Sequence, residues 1–187
     1  MRKVNDIIIL TIGTILFIIS YNFDQQLSLF FKDIKFPLFD IIFSVITNFG
    51  IVILIMLAIP SIIFYKKNKK LIYLMWFIFL ASFILAFAIK LIFLRQRPID
   101  LFTFPFTSII NYSFPSMHAM VIFSLLPILI KYLPKQKIFW VSFGLLAIFG
   151  RIYFGFHFLS DVVFGALFGY FIGAWLLELY EKGKLWK

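Results

Sequence analysis

The sequence predicts an all-α fold: an integral membrane bundle of six transmembrane helices, with short interfacial helices after the first span. Three observations carry that prediction. Hydrophobic residues make up 63% of the chain and mean hydropathy is +1.04, whereas a soluble domain is about half apolar. The apolar residues fall in successive runs that approach the roughly 20 residues needed to cross a hydrocarbon core of about 30 Å. Charged residues are only 14% of the total and collect between those runs. At 187 residues the chain reads as one domain, 1–187, with no room for a separate soluble module. A net charge of +10 taken alone admits nucleic acid, but in so apolar a chain it points to an anionic membrane face, and no nucleic-acid partner is expected. The chain has no cysteine, which excludes disulfides and thiolate metal sites.

The elements follow in order. Met1-Arg2-Lys3 precedes an apolar run from Val4 to Tyr21. The run is long and no small-residue cleavage site follows near Ser20-Tyr21-Asn22, so it reads as an uncleaved first span rather than a signal peptide. From Asn22 to Phe36, Asp24, Gln25, Gln26, Ser28, Lys32, Asp33 and Lys35 alternate with apolar residues, the pattern of a short helix lying in the interface. Pro37 opens a second short piece, Leu38 to Phe49. The second span is expected over Gly50–Tyr65, kinked by Pro60, and the third over Leu71–Leu94. A polar, aromatic loop from Arg95 to Phe114 holds Phe102, Phe104 and Phe106 beside Thr103, Thr107, Ser108, Asn111 and Ser113. It reads either as a path between lipid and site or as an interfacial aromatic belt. The fourth span is Met117–Leu133, the fifth Ile138–Phe154 and the sixth Leu159–Leu179.

Six spans put both termini on one side, and the cations orient the bundle. Twelve of the 18 Lys and Arg residues fall on the terminal side, which predicts cytoplasmic termini in a cell inner (cytoplasmic) membrane. The other six are Lys32, Lys35, Lys90, Arg95, Arg97 and Arg151. Lys90 and Arg97 then lie at the outer end of span three, and His118 opens span four. Arg151 closes span five, and His157 and Asp161 begin span six. The topology thus gathers these polar residues at one depth on the outer face.

Each has a chemical use and a plainer one. Lys90 and Arg97 are seven apart, two turns along one face if the helix continues that far before Pro98 stops it. The Arg fork and the Lys point charge suit phosphate oxygens, though both residues also snorkel at helix ends. Ser116 and His118 follow Pro115 at a loop-to-helix junction, where free N–H groups favour an anion. Ser116 can cap that helix or donate its hydroxyl to phosphate. His157 and Asp161 are four apart and face one another on a helix. The carboxylate can fix the imidazole tautomer and leave the other nitrogen free to attack, or the pair can be a structural hydrogen bond. Two histidines and an aspartate could ligate zinc, but three nearby cations would repel it, so no metal and no cofactor are expected.

Residues 90–161 resemble the motifs of the type 2 phosphatidic acid phosphatase superfamily. Lys90 through Arg97-Pro98 matches Lys, six residues, Arg-Pro. Pro115-Ser116-Met117-His118 matches Pro-Ser-Gly-His at three of four positions. Gly150-Arg151 through His157 to Asp161 matches Ser-Arg, five residues, His, three residues, Asp at all but the serine. The resemblance implies that His157 forms a phosphohistidine, that Asp161 orients and charge-stabilises it, and that His118 protonates the leaving oxygen and then activates water. It implies that Lys90, Arg97, Arg151, Ser116 and the backbone at Met117 hold the phosphoryl oxygens, without a metal. Met117 in place of glycine is expected to flank the pocket with a bulky side chain, strained if φ must be positive. Gly150 in place of serine is expected to leave a slightly roomier or less fully bonded phosphate cradle.

An outer-face site with almost no extramembrane mass favours a phosphorylated membrane lipid as partner. The expected activity is metal-independent hydrolysis of a lipid phosphate or diphosphate. The substrate is read as an envelope lipid: lipid A 1-phosphate, undecaprenyl pyrophosphate or phosphatidylglycerol phosphate. The alternatives are a lipid-to-lipid phosphotransferase using the same site, or a non-enzymatic membrane protein with a phosphate site. The last is expected to carry midplane polar residues or a repeat, and the chain has only scattered Thr, Ser and Gly there and no repeat.

Overall fold

The computed structural model describes residues 2–98 and 112–185, and among these the chain is helical with no strand. The aromatic loop residues Phe102 to Asn111 lie outside the described residues. The elements are α1 (Arg2–Asp33), α2 (Pro37–Ile46), α3 (Phe49–Ile53), a π-helical turn (Leu54–Ala58), α4 (Ile59–Tyr65), α5 (Lys69–Phe93), α6 (Met117–Tyr132), α7 (Lys137–Tyr153) and α8 (Leu159–Glu181).

The separate interfacial helix expected over 22–36 is instead the end of α1, which runs unbroken to Asp33. The reason lies in which face its polar residues occupy. Gly13, Phe17, Ser20 and Asp24 recur at spacings of four, three and four, one stripe of a helix. That stripe faces α8 rather than water: the Phe17 and Phe164 rings are 5.8 Å apart, and Asp24 is hydrogen-bonded to Ser160. Pro37 starts a short helix as expected, with its missing N–H harmless at the first position. Asn48 then caps α3 by accepting from the N–H groups of Gly50 and Ile51.

The kink expected at Pro60 is absorbed by the π turn just before it. Proline lacks a donor and crowds the carbonyl four residues back, and one wider turn relieves both. The sharp bend, 53°, falls between α2 and the α3–α4 helix. α5 ends at Phe93, with Leu94 in the left-handed conformation (φ 48°). Lys90 and Arg97 therefore do not share a helix face as the spacing suggested, because the helix stops short of Pro98.

Among the described residues three helices, Ile7–Asp33, α5 and α8, are long and apolar enough to cross a membrane, and the bent pair Pro37–Ile46 with Phe49–Tyr65 makes a fourth if it is one span. α6 and α7, where spans four and five were expected, have 16 and 17 residues. α6 is the central helix, packed by α5, α7 and α8. Its side chains from His118 to Val121 are buried, with Ile122, Leu125, Ile128 and Leu129 at 0% exposure in the main hydrophobic cluster.

The closest packing is between α6 and α8. Gly165, Gly169 and Gly173 recur every fourth residue along α8. A Cβ on them would lie 2.7 Å from the Ser116 carbonyl oxygen, 2.2 Å from that of Met120 and 1.9 Å from that of Ser124. The partner residues also rise by fours, so the two helices run parallel with backbones in contact, the small-residue interface that membrane helices use. Their N-termini consequently lie side by side.

Gly169→Ala is expected to lower the thermal unfolding midpoint of the detergent-purified protein far more than Gly144→Ala. At Gly169 the obstacle is backbone, whereas at Gly144 it is the Ile122 Cγ2 at 2.9 Å, the end of a side chain that can turn. Overpacking of the first kind costs on the order of 1–3 kcal/mol; equal midpoints would contradict the backbone contact.

Candidate active site

The parallel pair brings the starts of α6 and α8 together, and one hydrogen bond joins them: the Ser116 N–H donates to the Asp161 carbonyl at 3.0 Å. Ser116 is the N-cap of α6, but its side chain makes no capping bond, and its Oγ is buried without a hydrogen-bond partner. The hydroxyl is thus not committed to the helix, as a capping role would require. Met117 is the first helical residue. Its φ is not positive, Leu94 being the one non-glycine residue with positive φ among the described residues, so the bulky side chain brings no backbone strain.

α7 ends in a Schellman turn with Gly155 at φ 70° in the left-handed position. Its bonds run from Gly155 N–H to the Ile152 carbonyl (2.8 Å) and from Phe156 N–H to the Arg151 carbonyl (3.0 Å), and His157 N–H reaches the same oxygen at 3.3 Å. This turn folds His157 back over Arg151. The Phe156 ring then collects two guanidinium groups, Arg151 at 4.2 Å and Arg97 at 5.9 Å from its centroid. Arg97 also donates to the Phe156 carbonyl at 2.6 Å. Arg151 Nε is buried with no hydrogen-bond partner. Lys90, 2% exposed, donates to the carbonyls of Tyr112 and Ser113 and so ties the end of α5 to the segment leading into α6.

His157 is 3% exposed and Asp161 0%. Their separation, Nδ1 to Oδ2, is 3.7 Å, an ion-pair distance longer than a hydrogen bond. His157 precedes the helix rather than lying on it. Asp161 is at the third position of α8, and its Oδ2 accepts the Phe158 N–H at 2.8 Å, while Oδ1 accepts from Arg95 at 2.7 Å. Burial, followed by the charges of Arg97, Lys90 and Arg151, pushes the His157 imidazole well below the ordinary histidine range. His157 is therefore neutral near pH 7, with a nitrogen lone pair available.

His118 sits edge-on to Phe49, with ring centroids 4.9 Å apart, and its Nε2 lies 2.9 Å from the Thr47 carbonyl. A carbonyl only accepts, so Nε2 carries the hydrogen and Nδ1 is the nitrogen left for proton transfer. Thr47 belongs to the corner between α2 and α3, and Gly150 explains why that corner can come so close. A Cβ at Gly150 would stand 2.3 Å from Thr47 Cγ2 and 3.1 Å from Phe43 Cβ. The space expected to make the phosphate cradle roomier is filled by Thr47 and Phe43.

All eight residues singled out from the sequence thus lie on the elements that meet here. Sequence reasoning missed Asp24, Thr47, Arg95, Phe156 and Ser160. A signal existed for Asp24, on a stripe with Gly13 and Phe17, and for Arg95, which falls inside the first motif, between Lys90 and Arg97. Thr47 acts through its carbonyl, which leaves no mark in a sequence. Among the described residues no group of three or more His, Cys, Asp or Glu side chains is placed to hold a metal ion.

Residues 70–184 match the family model of the PAP2 superfamily. The chain is also similar to the crystal structure of the first transmembrane PAP2 type phosphatidylglycerolphosphate phosphatase from Bacillus subtilis. The TM-score is 0.74 at 22% identity, over 97% of this chain and 98% of that chain. At that identity the likeness is one of fold. No curated protein matches.

Gly150→Ser is expected to lower the unfolding midpoint by driving Thr47 and Phe43 outward, on the order of 1–3 kcal/mol. Adding Thr47→Ala should recover most of the loss by removing Cγ2. A stable Gly150→Ser single variant would mean that the corner is not packed against α7 as described.

Proposed function

The chain belongs to the PAP2 superfamily, the type 2 phosphatidic acid phosphatases whose motifs it resembles, and is a multi-pass membrane protein; from that premise we propose that it is a membrane lipid phosphatase working through a phosphohistidine. The observation that carries the reading is the convergence of both histidines of the chain, buried, with Lys90, Arg97 and Arg151 around one of them.

In the proposed reaction His157 attacks phosphorus with its Nε2 lone pair. The N–P bond forms as the bond to the lipid oxygen breaks, and His118, which enters the step protonated on both nitrogens, passes its Nδ1 proton to that oxygen. Water then attacks the phosphohistidine, His118 takes the water's proton, and phosphate leaves with His157 restored. Lys90, Arg97, Arg151, the Ser116 hydroxyl and the N–H at Met117 meet the charge spread over the phosphoryl oxygens. The Ser116 hydroxyl and Arg151 Nε, both buried and unpartnered, suit ligands of that kind. Asp161 faces the charge that His157 gains. No step calls for a metal ion.

The substrate we propose is an envelope lipid bearing a phosphate or diphosphate, drawn from phosphatidylglycerol phosphate, undecaprenyl pyrophosphate and lipid A 1-phosphate. The name of the B. subtilis protein makes the first of these the one to assay first. The bundle is proposed to cross the membrane six times, α6 and α7 included, with cytoplasmic termini and the site on the outer face. The lysine bias of the terminal side supports this orientation.

Phosphate release over a panel of these three lipids, with no acceptor lipid present, should be robust for at least one and abolished by His157→Ala, while the variant remains folded in the membrane. Turnover without His157 would refute its role as nucleophile, and turnover only with added acceptor would turn the reading to phosphotransfer. In the same assay EDTA should leave the rate within about twofold, because three fixed cations supply the charge stabilisation; loss with EDTA and recovery with zinc would overturn the metal-free step.

A further inference from the structure

Asp161 makes a second set of contacts that reach back to the first helix. Arg95 Nη1 donates to Asp161 Oδ1 and to Ser160 Oγ, each at 2.7 Å, and its Nη2 donates to Asp24 Oδ2 at 2.7 Å. Asp24 Oδ1 accepts the Ser160 N–H at 2.9 Å, and the Ser160 hydroxyl donates to Asp24 Oδ2. Asp24 is 2% exposed, and Ser160 and Asp161 are 0%. The guanidinium is covered by the Phe158 ring at 4.1 Å and the Tyr21 ring at 5.4 Å. One planar fork, its side chain 24% exposed, thus joins a buried carboxylate on α1 to a buried carboxylate on α8.

We propose that Asp24 and Arg95 are positioning residues for Asp161, and through it for His157. The inference rests on the phosphohistidine reading above. Two consequences of the geometry carry it. Arg95 holds Oδ1, the Asp161 oxygen turned away from the imidazole, and the Phe158 N–H holds the other, so the carboxylate plane is fixed with Oδ2 3.7 Å from His157 Nδ1. The charges also sum in a useful way. Arg95 alone would neutralise Asp161. Shared with Asp24, one cation serves two carboxylates, and the cluster keeps one net negative charge beside the imidazole. That charge is what a histidine becoming positive during phosphoryl transfer requires. Asp24 therefore acts at a distance: it offsets the guanidinium so that Asp161 stays an effective counter-ion.

The test uses the full-length protein in detergent with the preferred lipid. Turnover is expressed per phosphorylatable His157, titrated by trapping radiolabelled phosphohistidine. Asp24→Asn keeps an acceptor for the Ser160 N–H but removes the charge and the oxygen that accepts from Arg95 and the Ser160 hydroxyl. It should lower kcat per site by about 10- to 100-fold, the range corresponding to one charge-assisted hydrogen bond, with KM within about twofold. Arg95→Gln should lower kcat at least as much, Arg95→Lys should recover part of it, and Asp24→Asn should add little on top of Arg95→Gln, because Asp24 acts through Arg95. If Asp24→Asn does not fold, Asp24→Glu against Arg95→Lys carries the same comparison. A purely structural cluster would lower the yield of folded protein and leave kcat per site unchanged, and that result would overturn the proposal. So would a rise in KM alone, which would put the cluster on the substrate. If the wild type forms no phosphohistidine, the catalytic reading and this inference both fall; if it does and the variants turn over normally, only the inference does.

Discussion

Everything at the site depends on two helices being allowed to touch through their backbones. The glycines of α8 at 165, 169 and 173 remove the side chains that would hold α6 away, and the oxygens they meet belong to Ser116, Met120 and Ser124. Lipid offers no hydrophobic drive for helices to associate, so close packing of this kind is what brings a membrane bundle together. Because the pair is parallel, the same contact that stabilises the bundle also sets two helix N-termini side by side, the helix ends that favour an anion. The Ser116–Asp161 bond then fixes their register at the level where the chemistry is proposed.

The second constraint is the burial of charge. Lys90, Asp24 and Asp161 are all nearly inaccessible, and charges in such surroundings persist only when paired or hydrogen-bonded. The chain meets that requirement with unlike partners. Lys90 is held by carbonyls, Arg97 by the Phe156 carbonyl and ring, Arg151 by the same ring, and the two aspartates by Arg95. Phe156 stands between the loop after α5 and the end of α7, and its ring lies against the guanidinium groups of both Arg97 and Arg151.

The parts of this arrangement that could be read from sequence are those with short-range spacing. The runs for α5, α6, α7 and α8 end within about two residues of the helices, because apolar length and Pro or Gly punctuation are local signals. The Lys90, Ser116–His118 and Arg151–Asp161 motifs are local too. What escaped was long-range or carried by backbone. Asp24 meets Ser160 across 136 residues and looked like the polar side of an interfacial helix, since alternation alone does not say which face is buried. Arg95 counted only as an outer cation. Gly150 looked like a missing hydroxyl, and only the tertiary packing of Thr47 against it reveals a fitted contact. Lys90 and Arg97 were expected on one helix because nothing in Leu94 itself announces a left-handed stop.

The family match begins at residue 70, yet two holds on residues of the proposed site come from before it, Thr47 on His118 and Asp24 on Asp161 through Arg95. They differ in how they would be inherited. A carbonyl is common to every residue, so the grip on His118 can pass unchanged between sequences that keep the same chain path, provided the side chain there still fits position 150. The grip on Asp161 needs a carboxylate at one turn of α1 and a guanidinium two residues before the Arg97-Pro98 pair, and it can only be gained or lost as a matched set. A chimera joined at residue 70 would therefore keep every motif of the family and still separate the proposed nucleophile's support from its source.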